Sequence, residues 1–594
     1  MLRIFKYFRL TDWLIVLLVA VLVVLQVWLE LKMPDYMRDI TVNLTSKPNF
    51  AMSEIWVAGG FMLLCALGSL AGAIATVFLS TRISADFAER LRQMMFERVE
   101  GFSASEINRF STPSLITRTT NDVTQVQMLV GMGTNLLIRA PVMAVWAIAK
   151  ISTKNWEFMA VAVGAIVAMF ILVGFLVGVA LPKFRKIQGL TDNINRLTRE
   201  NLMGIRVIRA YNAEDYQEEK FEKANEEMTK TQLFANRAMQ VMMPGMTLIM
   251  SGLTLAITLI GAVLVNAAAA PLPGALEAEI PSANLLFGEM ITFSQYAMQA
   301  IMAFVMLVMV FILLPRAAVS ARRILEVMDT EISIKDGAGA HPREHGTVEF
   351  KKVSFKYPDA EENVLDDISF SVKSGETIAF IGSTGSGKST LINLIPRFYD
   401  VTHGTVLVDG VNVKEYKLAD LNNRIGYIAQ KGVIFAGTVH YNIAFGESAK
   451  DITDKDVLEA VDTAQAKEFV DALDSGIEAN VARGGTDLSG GQKQRLSIAR
   501  ALAKKPEILI FDDSFSALDY KTDRNLRAAL KKQNKGVTSL IVAQRIGTIK
   551  DADKIIVLDN GRMVGCGVHT ELLQSCPVYR EIALSQLSKE ELEK

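Results

Sequence analysis

The feature that most constrains this chain is a series of six long apolar runs in its N-terminal part. Each run approaches the roughly 20 residues with which a helix crosses a bilayer. Lipid offers the backbone no hydrogen-bond partners, so such runs fold as helices that pack on one another. The predicted spans are Trp13–Leu31, Ile55–Leu79, Met128–Ala149, Phe158–Leu181, Val241–Val265 and Met290–Leu314. Six spans place both chain ends on the same side.

Basic residues near the spans predict the orientation. The segment Ser80–Gln127 carries six arginines, whereas Asn266–Glu289 has neither Lys nor Arg. Loops rich in basic residues stay in the cytoplasm. We therefore expect a multi-pass protein of the cell membrane with both termini and the C-terminal domain cytoplasmic. No small-residue cleavage site follows the first run, so we interpret it as a retained helix rather than a signal peptide.

The overall charge indicates no strongly charged partner. The chain has 63 basic and 64 acidic residues and a formal net charge of -1, which gives no reason to expect a nucleic acid ligand. Its three cysteines and five histidines are scattered, without the spacing of a disulfide framework or a zinc site.

A change of pattern divides the chain. The segments Ser80–Gln127 and Pro182–Met239 are too polar for the membrane but rich in helix formers, which predicts helices that continue beyond it. From residue 330 a polar linker leads to strand-like runs that alternate with helix-like runs. We predict a multi-domain chain: an all-α six-helix transmembrane domain (residues 1–329), a linker (330–345) and an α/β domain (346–594).

The sequence GSTGSGKST indicates a phosphate-binding loop. It follows the apolar strand candidate Thr377–Ile381 and precedes a helical run that begins at Leu391. Glycines in such a loop let backbone N–H groups wrap phosphate oxygens, the lysine neutralises phosphate charge, and the next serine binds Mg²⁺. The predicted ATP-binding residues are Gly382, Ser383, Thr384, Gly385, Ser386, Gly387, Lys388, Ser389 and Thr390. ATP and Mg²⁺ are the expected cofactors of this P-loop ATPase domain.

An apolar strand that ends in carboxylates supplies a second nucleotide element. ILIFDD at Ile508–Asp513 would deliver Asp512 to the Mg²⁺ ion beside the phosphate loop. An acidic strand end that only faces solvent is the alternative, and the matching phosphate loop argues against it.

The pentapeptide LSGGQ at Leu488–Gln492 is the most specific signal, and with it the sequence resembles the ATP-binding-cassette (ABC) family. In this family the pentapeptide reaches across a dimer to the γ-phosphate of the opposite subunit, so one chain does not complete a site. The resemblance implies roles for Ser489, Gly490, Gly491 and Gln492 on that phosphate, Tyr357 against adenine, Gln430 between Mg²⁺ and the transmembrane contacts, and Asp519 in the cross-dimer loop.

Two residues depart from the family pattern where hydrolysis takes place. The family usually has Glu after the metal-binding aspartate, where it polarises the attacking water, and this chain has Asp513. The shorter side chain withdraws the carboxylate by roughly 1 Å, and misplacement on that scale costs about 10²-fold in rate. Gln544 stands where the family usually has His, and an amide cannot become a cation or relay a proton. Asp513, Gln544 and Gln430 are thus candidate catalytic residues of a slow site.

These paired departures resemble the degenerate subunit of a heterodimeric exporter. The intact LSGGQ would serve a partner's working site, while Asp513 and Gln544 slow only the site on this chain. A homodimer with slow ATPase activity is the alternative. A further departure places Ala482 and Arg483 where such exporters commonly have Gly-Glu, which reverses a charge at a position that communicates with the cytoplasmic loops.

Two stretches resemble the coupling segments of exporters with the type IV fold, Glu106–Val123 and Glu200–Asp215. In that family the second segment crosses to the partner's ATPase domain. The resemblance implies an ATP-driven exporter of amphipathic drugs, lipids or peptides, with a second half-transporter and the lipid bilayer as further partners. An importer on the same fold is the alternative in direction. The six spans oppose a soluble ATPase of DNA repair or translation.

The spans hold two candidates for substrate contact. Arg139 is either a functional group inside a span or a side chain that snorkels to the cytoplasmic surface. The last span mixes methionines with aromatic residues, an adaptable apolar surface, although packing or lipid contact is the ordinary role of such residues. The residues concerned are Met290, Met298, Met302, Met306, Met309, Phe293, Tyr296 and Phe304.

Overall fold

The computed structural model describes residues 2–46, 52–152, 156–269, 280–446, 451–533 and 536–586. The chain forms two compact units. The first consists of Met1–Phe96 and Ile116–Asp329, and the second of Glu97–Leu115 and Thr330–Lys594. The short excursion Glu97–Leu115 therefore belongs with the C-terminal part of the chain, although it lies between the second and third spans in sequence.

The membrane unit is built from long helices. Within the described residues, six helical stretches are long and apolar enough to cross a membrane, and each contains one predicted span. The prediction of an all-α six-helix domain is confirmed. The helices of this part of the chain are α1 Leu10–Ser46, α2 Met52–Glu100, α3 Ala104–Phe110, α4 Thr112–Thr117, α5 Val123–Met128, α6 Thr134–Ser152, α7 Trp156–Ala210, α8 Glu214–Gln240, α9 Met242–Ala269 and α10 Ile280–Asp329, of which α3 lies in the second unit.

The polar segments between the spans are helical, as the sequence predicts. Helix α2 has 49 residues and α7 has 55, against the roughly 20 that one span needs. On the charged helix α8, Lys223 pairs with Glu219 at 2.6 Å, one turn earlier, and such pairs favour an exposed helix. The helical stretch that contains the third span includes two π-helical turns, Arg118–Asp122 and Leu129–Gly133.

The core of the membrane unit is an apolar cluster to which α1, α6, α7, α9 and α10 contribute. Small side chains on α10 let the neighbouring helices approach closely, and aromatic side chains fill the remaining space. The buried face of α10 includes Phe293, Tyr296, Ala297, Ala300 and Ala303. Of the methionines on this helix, Met290 is buried, whereas Met298, Met302 and Met309 leave 37%, 44% and 50% of their surface exposed.

Arg139 is held inside the helix bundle by an ion pair. Its Nη2 atom lies 2.9 Å from both carboxylate oxygens of Glu30 on α1. The same carboxylate accepts hydrogen bonds from Gln26 Nε2 at 3.0 Å and from Ser69 Oγ on α2 at 3.1 Å. The pair thus joins α1, α2 and α6. Of the two roles considered for Arg139, snorkelling to the surface does not fit this arrangement.

The second unit is an α/β domain. Its strands are β1 Val348–Phe355, β2 Leu365–Val372, β3 Thr377–Gly382, β4 His403–Val408, β5 Val411–Asn412, β6 Ile425–Ile428, β7 Gly437–Thr438, β8 Asn480–Val481, β9 Ile508–Asp512, β10 Thr538–Val542, β11 Lys554–Asp559 and β12 Arg562–Gly567. Its remaining helices are α11 Lys388–Asn393, α12 Leu418–Arg424, α13 Val439–Ile443, α14 Asp454–Thr463, α15 Lys467–Asp471, α16 Gly490–Ala503, α17 Tyr520–Gln533, α18 Ile546–Ile549, α19 His569–Ser575 and α20 Pro577–Gln586. The predicted α/β class is confirmed.

The order of strands in the main sheet determines where the candidate site lies. Its strands follow the order β12-β11-β3-β10-β9-β6, and β6, β9, β10, β3 and β11 run parallel. Val542 at the end of β10 pairs with Asp512 at the end of β9. In parallel sheets, ligands bind outside the carboxyl ends of the strands. The residues that follow β3, β9 and β10 are therefore brought to one edge.

Candidate nucleotide site

The phosphate loop connects β3 to α11. Gly387 precedes α11 with φ of 94°, a left-handed conformation that glycine adopts without strain. A Cβ atom at Gly387 would lie 2.7 Å from Leu365 Cδ2, and one at Gly382 would overlap the carbonyl oxygen of Leu558. The loop therefore needs glycine at both positions. Helix α11 begins at Lys388, three residues before the predicted start at Leu391.

The ammonium group of Lys388 is held within the loop. Nζ donates to the carbonyl oxygens of Gly382 at 2.9 Å and Ser383 at 2.7 Å, and lies 3.3 Å from Ser386 Oγ. Burial lowers the pKa of Lys388, although Asp513 and Asp512 act in the opposite direction. These contacts keep the positive charge at the place where phosphate oxygens would bind.

Asp512 and Ser389 form an oxygen pair suited to Mg²⁺. Ser389 Oγ donates to Asp512 Oδ1 at 2.6 Å. The other carboxylate oxygen of Asp512 accepts a hydrogen bond from Tyr427 at 3.4 Å, and Tyr427 also donates to Asn393 Oδ1 at 2.9 Å. Burial raises the pKa of Asp512, so the site favours a cation that replaces the proton. Hydroxyl and carboxylate oxygens are the ligands that Mg²⁺ prefers.

Two amide side chains donate to the carboxylate of Asp513. Gln544 Nε2 lies 2.8 Å from Asp513 Oδ2, and Gln430 Nε2 lies 3.4 Å from the same oxygen. Asp513 leaves only 6% of its surface exposed, and burial raises its pKa. Its backbone has φ of 47°, which is uncommon for a residue with a side chain. Of the three predicted catalytic residues, Gln544 and Gln430 therefore each contact Asp513.

Tyr357 lies beside the end of the phosphate loop. Its hydroxyl is 3.0 Å from Thr390 Oγ1. The rings of Phe355 and Tyr399 meet it edge-on at centroid distances of 4.9 and 5.2 Å. Tyr357 is thus held next to the loop by its hydroxyl and by two edge-on ring contacts.

The signature residues form a second group, apart from the phosphate loop. Ser489 caps α16, and the Ser489 and Gln492 side chains each bond the other's backbone N–H, at 3.3 and 2.8 Å. A Cβ atom at Gly491 would lie 3.3 Å from the carbonyl oxygen of Ala517. A Cβ atom at Gly490 would have no neighbour within 4 Å. Asp519 caps the start of α17 through Thr522 N at 2.9 Å. In the described part of the chain, no hydrogen bond joins this group to residues 382–390.

Sequence reasoning missed two residues that touch the site. Tyr427, which bonds Asp512, stands three positions before Gln430, so its place in the motif YIAQ was an available signal. Gln586 at the end of α20 donates to the carbonyl oxygen of Gln544 at 2.7 Å and accepts from Ile546 N at 2.9 Å. Nothing in the local sequence around Gln586 indicates this contact, because its partners lie about 40 residues earlier.

The fold and the site together define a membrane-spanning ATPase with a P-loop domain. The family profile described as the ABC transporter transmembrane region matches residues 14–304, and the profile described as ABC transporter matches residues 365–516. The chain belongs to the ABC transporter family. It carries one membrane region and one nucleotide-binding domain, the composition of a half-transporter.

The similarity to known proteins extends over nearly the whole chain. An uncharacterized ABC transporter ATP-binding protein of Mycobacterium tuberculosis is 39% identical over 89% of this chain and 87% of its own length. An ATP-dependent lipid A-core flippase of Aromatoleum aromaticum is 34% identical over 89% of this chain and 85% of its own length. A solved bacterial Atm1-family ABC exporter with ATP bound has the same fold, with a TM-score of 0.71 and 24% identity over 97% of this chain and 99% of that one.

Proposed function

We propose that this chain is one half of an ATP-driven exporter whose own ATP site hydrolyses slowly. Residues 1–329 form the transmembrane domain, 330–345 the linker and 346–594 the ATPase domain. The chain belongs to a family of transport ATPases, and two of its site residues differ from the residues that this chemistry usually employs. Both termini and the ATPase domain lie in the cytoplasm, because the segment Ser80–Gln127 is rich in arginine.

The observation that carries the proposal is the hydrogen bond from Gln544 Nε2 to Asp513 Oδ2, at 2.8 Å. A general base needs a free lone pair directed at the attacking water. Here the carboxylate of Asp513 is shorter than that of Glu and lies farther from the place of the attacking water. One of its oxygens, Oδ2, accepts hydrogen bonds from the amides of Gln544 and Gln430. Because an amide does not ionise near neutral pH, Gln544 also contributes no charge to the γ-phosphate.

Binding of Mg·ATP does not depend on these departures. Lys388 would take the phosphate charge, Tyr357 would stack on the base, and Ser389, Asp512 and Gln430 would hold Mg²⁺, whose charge would be supplied to the phosphates. The oxygen pair of Ser389 and Asp512, 2.6 Å apart, supports this assignment. The chain would thus hold ATP at its own site for longer than it takes a working site to turn over.

The signature group supports a two-chain site. Ser489 and Gly491 lie at the start of α16, and Asp519 lies at the start of α17. Within the described residues, none of them is hydrogen-bonded to the phosphate loop of the same chain. A partner subunit would bring its γ-phosphate to this group, and this chain would receive the partner's signature in return. Because only the site on this chain is altered, a heterodimer with an intact partner site explains the sequence better than a homodimer.

Exposed apolar surface on two parts of the chain supports coupling through the partner. The C-terminal end of α7 exposes apolar side chains, although it lies many residues beyond the apolar stretch of that helix. The ATPase domain exposes a second group of apolar side chains, most of which are aromatic. We propose that each α7 end docks on the partner's ATPase domain. The residues are Leu202, Met203, Val207 and Tyr211 on the first surface and Val433, Phe435, Tyr441 and Phe445 on the second.

The substrate class we propose is an amphipathic molecule such as a lipid, drug or peptide. Relatives named lipid A-core flippases at 33–34% identity support a lipid-like substrate. The partly exposed methionines of α10 support adaptable apolar contact, because thioether side chains fit ligands of irregular shape.

The test compares two substitutions in the pair purified with its partner. Asp513→Ala should leave most ATP turnover intact, because the partner's site does the work. Gly491→Asp should abolish nearly all turnover, because the new side chain meets the Ala517 carbonyl and the partner's γ-phosphate loses its signature. The chain alone should show little ATPase activity. Loss of nearly all turnover in Asp513→Ala would refute the division of labour.

A further inference from the structure

Helix α3 is anchored to the linker that leads into the ATPase domain. Ser103 Oγ lies 3.1 Å from Ser333 Oγ, and Glu106 accepts a hydrogen bond from Ser103 N at 2.7 Å. Burial opposes ionisation of Glu106, yet hydrogen bonds with Ser103 and Ser333 lower its pKa overall. A charged carboxylate therefore caps the first turn of α3 and ties it to residue 333.

A second contact of α3 leads toward the nucleotide site. Asn108 Nδ2 donates to the hydroxyl of Tyr399 at 3.3 Å. The Tyr399 ring meets the Tyr357 ring edge-on, at a centroid distance of 5.2 Å and an angle of 89°. The Tyr357 hydroxyl in turn lies 3.0 Å from Thr390 Oγ1 at the end of the phosphate loop. A continuous series of contacts thus runs from the phosphate loop to α3.

The backbone near Tyr399 is anchored through Arg397, two residues earlier. Arg397 is 6% exposed and binds the Asp400 carboxylate at 2.8 Å and the Lys335 carbonyl oxygen at 2.9 Å. Burial raises the pKa of Tyr399, so its hydroxyl keeps its proton at neutral pH. Edge-on aromatic contacts constrain ring orientation. A base that stacks on Tyr357 would therefore also restrict the ring of Tyr399.

We propose that Tyr399 is a positioning residue that reports occupancy of the base position to α3 through its hydroxyl. The inference rests on the proposed function in one respect, that Tyr357 stacks on the base of ATP. It adds that α3 is ordered by the adenosine part of the nucleotide and not by the phosphates alone. A contact that served only to dock α3 would be indifferent to the base.

The experiment measures amide hydrogen exchange of residues 104–111 in the full chain with its partner, in lipid nanodiscs. Two probes are compared, each with Mg²⁺: ATP, and inorganic tripolyphosphate, which lacks the base. ATP should slow exchange by about threefold or more, and tripolyphosphate should leave it unchanged. The affinity for each probe is measured in the same samples.

Substitutions then separate the hydroxyl from the ring. Tyr399→Phe keeps the ring against Tyr357 and should lose the effect of ATP on α3, with ATP affinity within about twofold of the original. Asn108→Ala should likewise lose the effect of ATP on exchange in α3, because it removes the partner of the Tyr399 hydroxyl. Asn108→Asp should retain the effect, because a carboxylate accepts a hydrogen bond from the phenol. Ser105→Ala, on the same helix, is the matched control and should change nothing.

The outcomes are distinct. If ATP fails to bind the original protein, the proposed nucleotide site is wrong and the inference falls with it. If ATP binds but tripolyphosphate slows exchange equally, or Tyr399→Phe keeps the full effect, the proposed function stands and the role of Tyr399 is refuted. A melting temperature of Tyr399→Phe within about 2 °C of the original shows that the variant is folded.

Discussion

Asp513 and Gln544 lie on two neighbouring strand ends, and their side chains meet at 2.8 Å. Each residue alone is a modest departure from the family pattern. Their contact joins the two departures in one hydrogen bond, in which the amide of Gln544 is the donor. Gln430 adds a weaker contact at 3.4 Å to the same oxygen. Both amides thus bond one and the same carboxylate oxygen, the contact on which the proposal of a slow site rests.

The residue scale yields a gain-of-function prediction. Asp513→Glu combined with Gln544→His should raise hydrolysis at this site by about 10²-fold, because the carboxylate regains roughly 1 Å of reach and the imidazole can carry charge. The increase is measured in the Gly491→Asp background, where the partner's site is disabled from this chain. Asp513→Asn in that background is the control and should show no gain. An unchanged rate in the double variant would contradict the assigned cause.

Much of this site could be predicted from sequence. The phosphate loop, the strand that ends in Asp512 and the signature are contiguous motifs, and the glycines in them have a local physical role. The contacts of Gln544 with Asp513 and of Tyr427 with Asp512 join residues that lie 31 and 85 positions apart. Periodicity and spacing carry no information about such pairs, because only the order of strands in the sheet brings them together.

The glycines of the phosphate loop show how one element depends on its neighbours. Gly382 and Gly385 lie three residues apart in the loop. A Cβ atom at Gly382 would overlap the carbonyl oxygen of Leu558 on β11, whereas one at Gly385 would meet nothing within 4 Å. Gly385 nevertheless has φ of 84°, so a side chain there is strained without a clash.

The element scale predicts different consequences for two similar substitutions. Gly382→Ala should lower the melting temperature and weaken ATP binding by more than about tenfold, because β11 must move to admit the methyl group. Gly385→Ala should keep the fold and cost about 1 kcal/mol in backbone strain. Thermal unfolding and titration with a fluorescent ATP analogue measure both effects. Equal losses in the two variants would show that backbone conformation, and not the contact with β11, limits the loop.

The whole molecule combines a membrane unit with an ATPase unit through shared segments of chain. Helix α2 continues to Glu100, and the excursion that follows it, with α3, folds as part of the ATPase unit. The backbone therefore passes between the two units within α2, within α4 and at the start of the linker. The ion pair of Arg139 and Glu30 ties three membrane helices together, which favours movement of α1, α2 and α6 as a group.

The predicted orientation can be tested with the native cysteines of the chain. Among the cysteines, Cys566 on β12 is exposed, whereas Cys65 and Cys576 are buried. With the proposed cytoplasmic ATPase domain, a membrane-impermeant maleimide should not label Cys566 in intact cells but should label it in inside-out vesicles. Although Cys566 is exposed, partial desolvation of its thiol raises its pKa, so mildly alkaline buffer aids the reaction. Cys566→Ser is the control, and labelling of intact cells would reverse the assigned orientation.

The sequence by itself determined the membrane spans, the α/β domain and the nucleotide motifs. Each of these depends on features that neighbouring residues carry: apolar length, glycine in a tight loop, and a carboxylate at a strand end. The tertiary structure decided which distant side chains meet. It paired Arg139 with Glu30, directed Gln544 at Asp513, and placed α3 against Tyr399. Such contacts depend on how helices and strands pack, which no local pattern in the chain encodes.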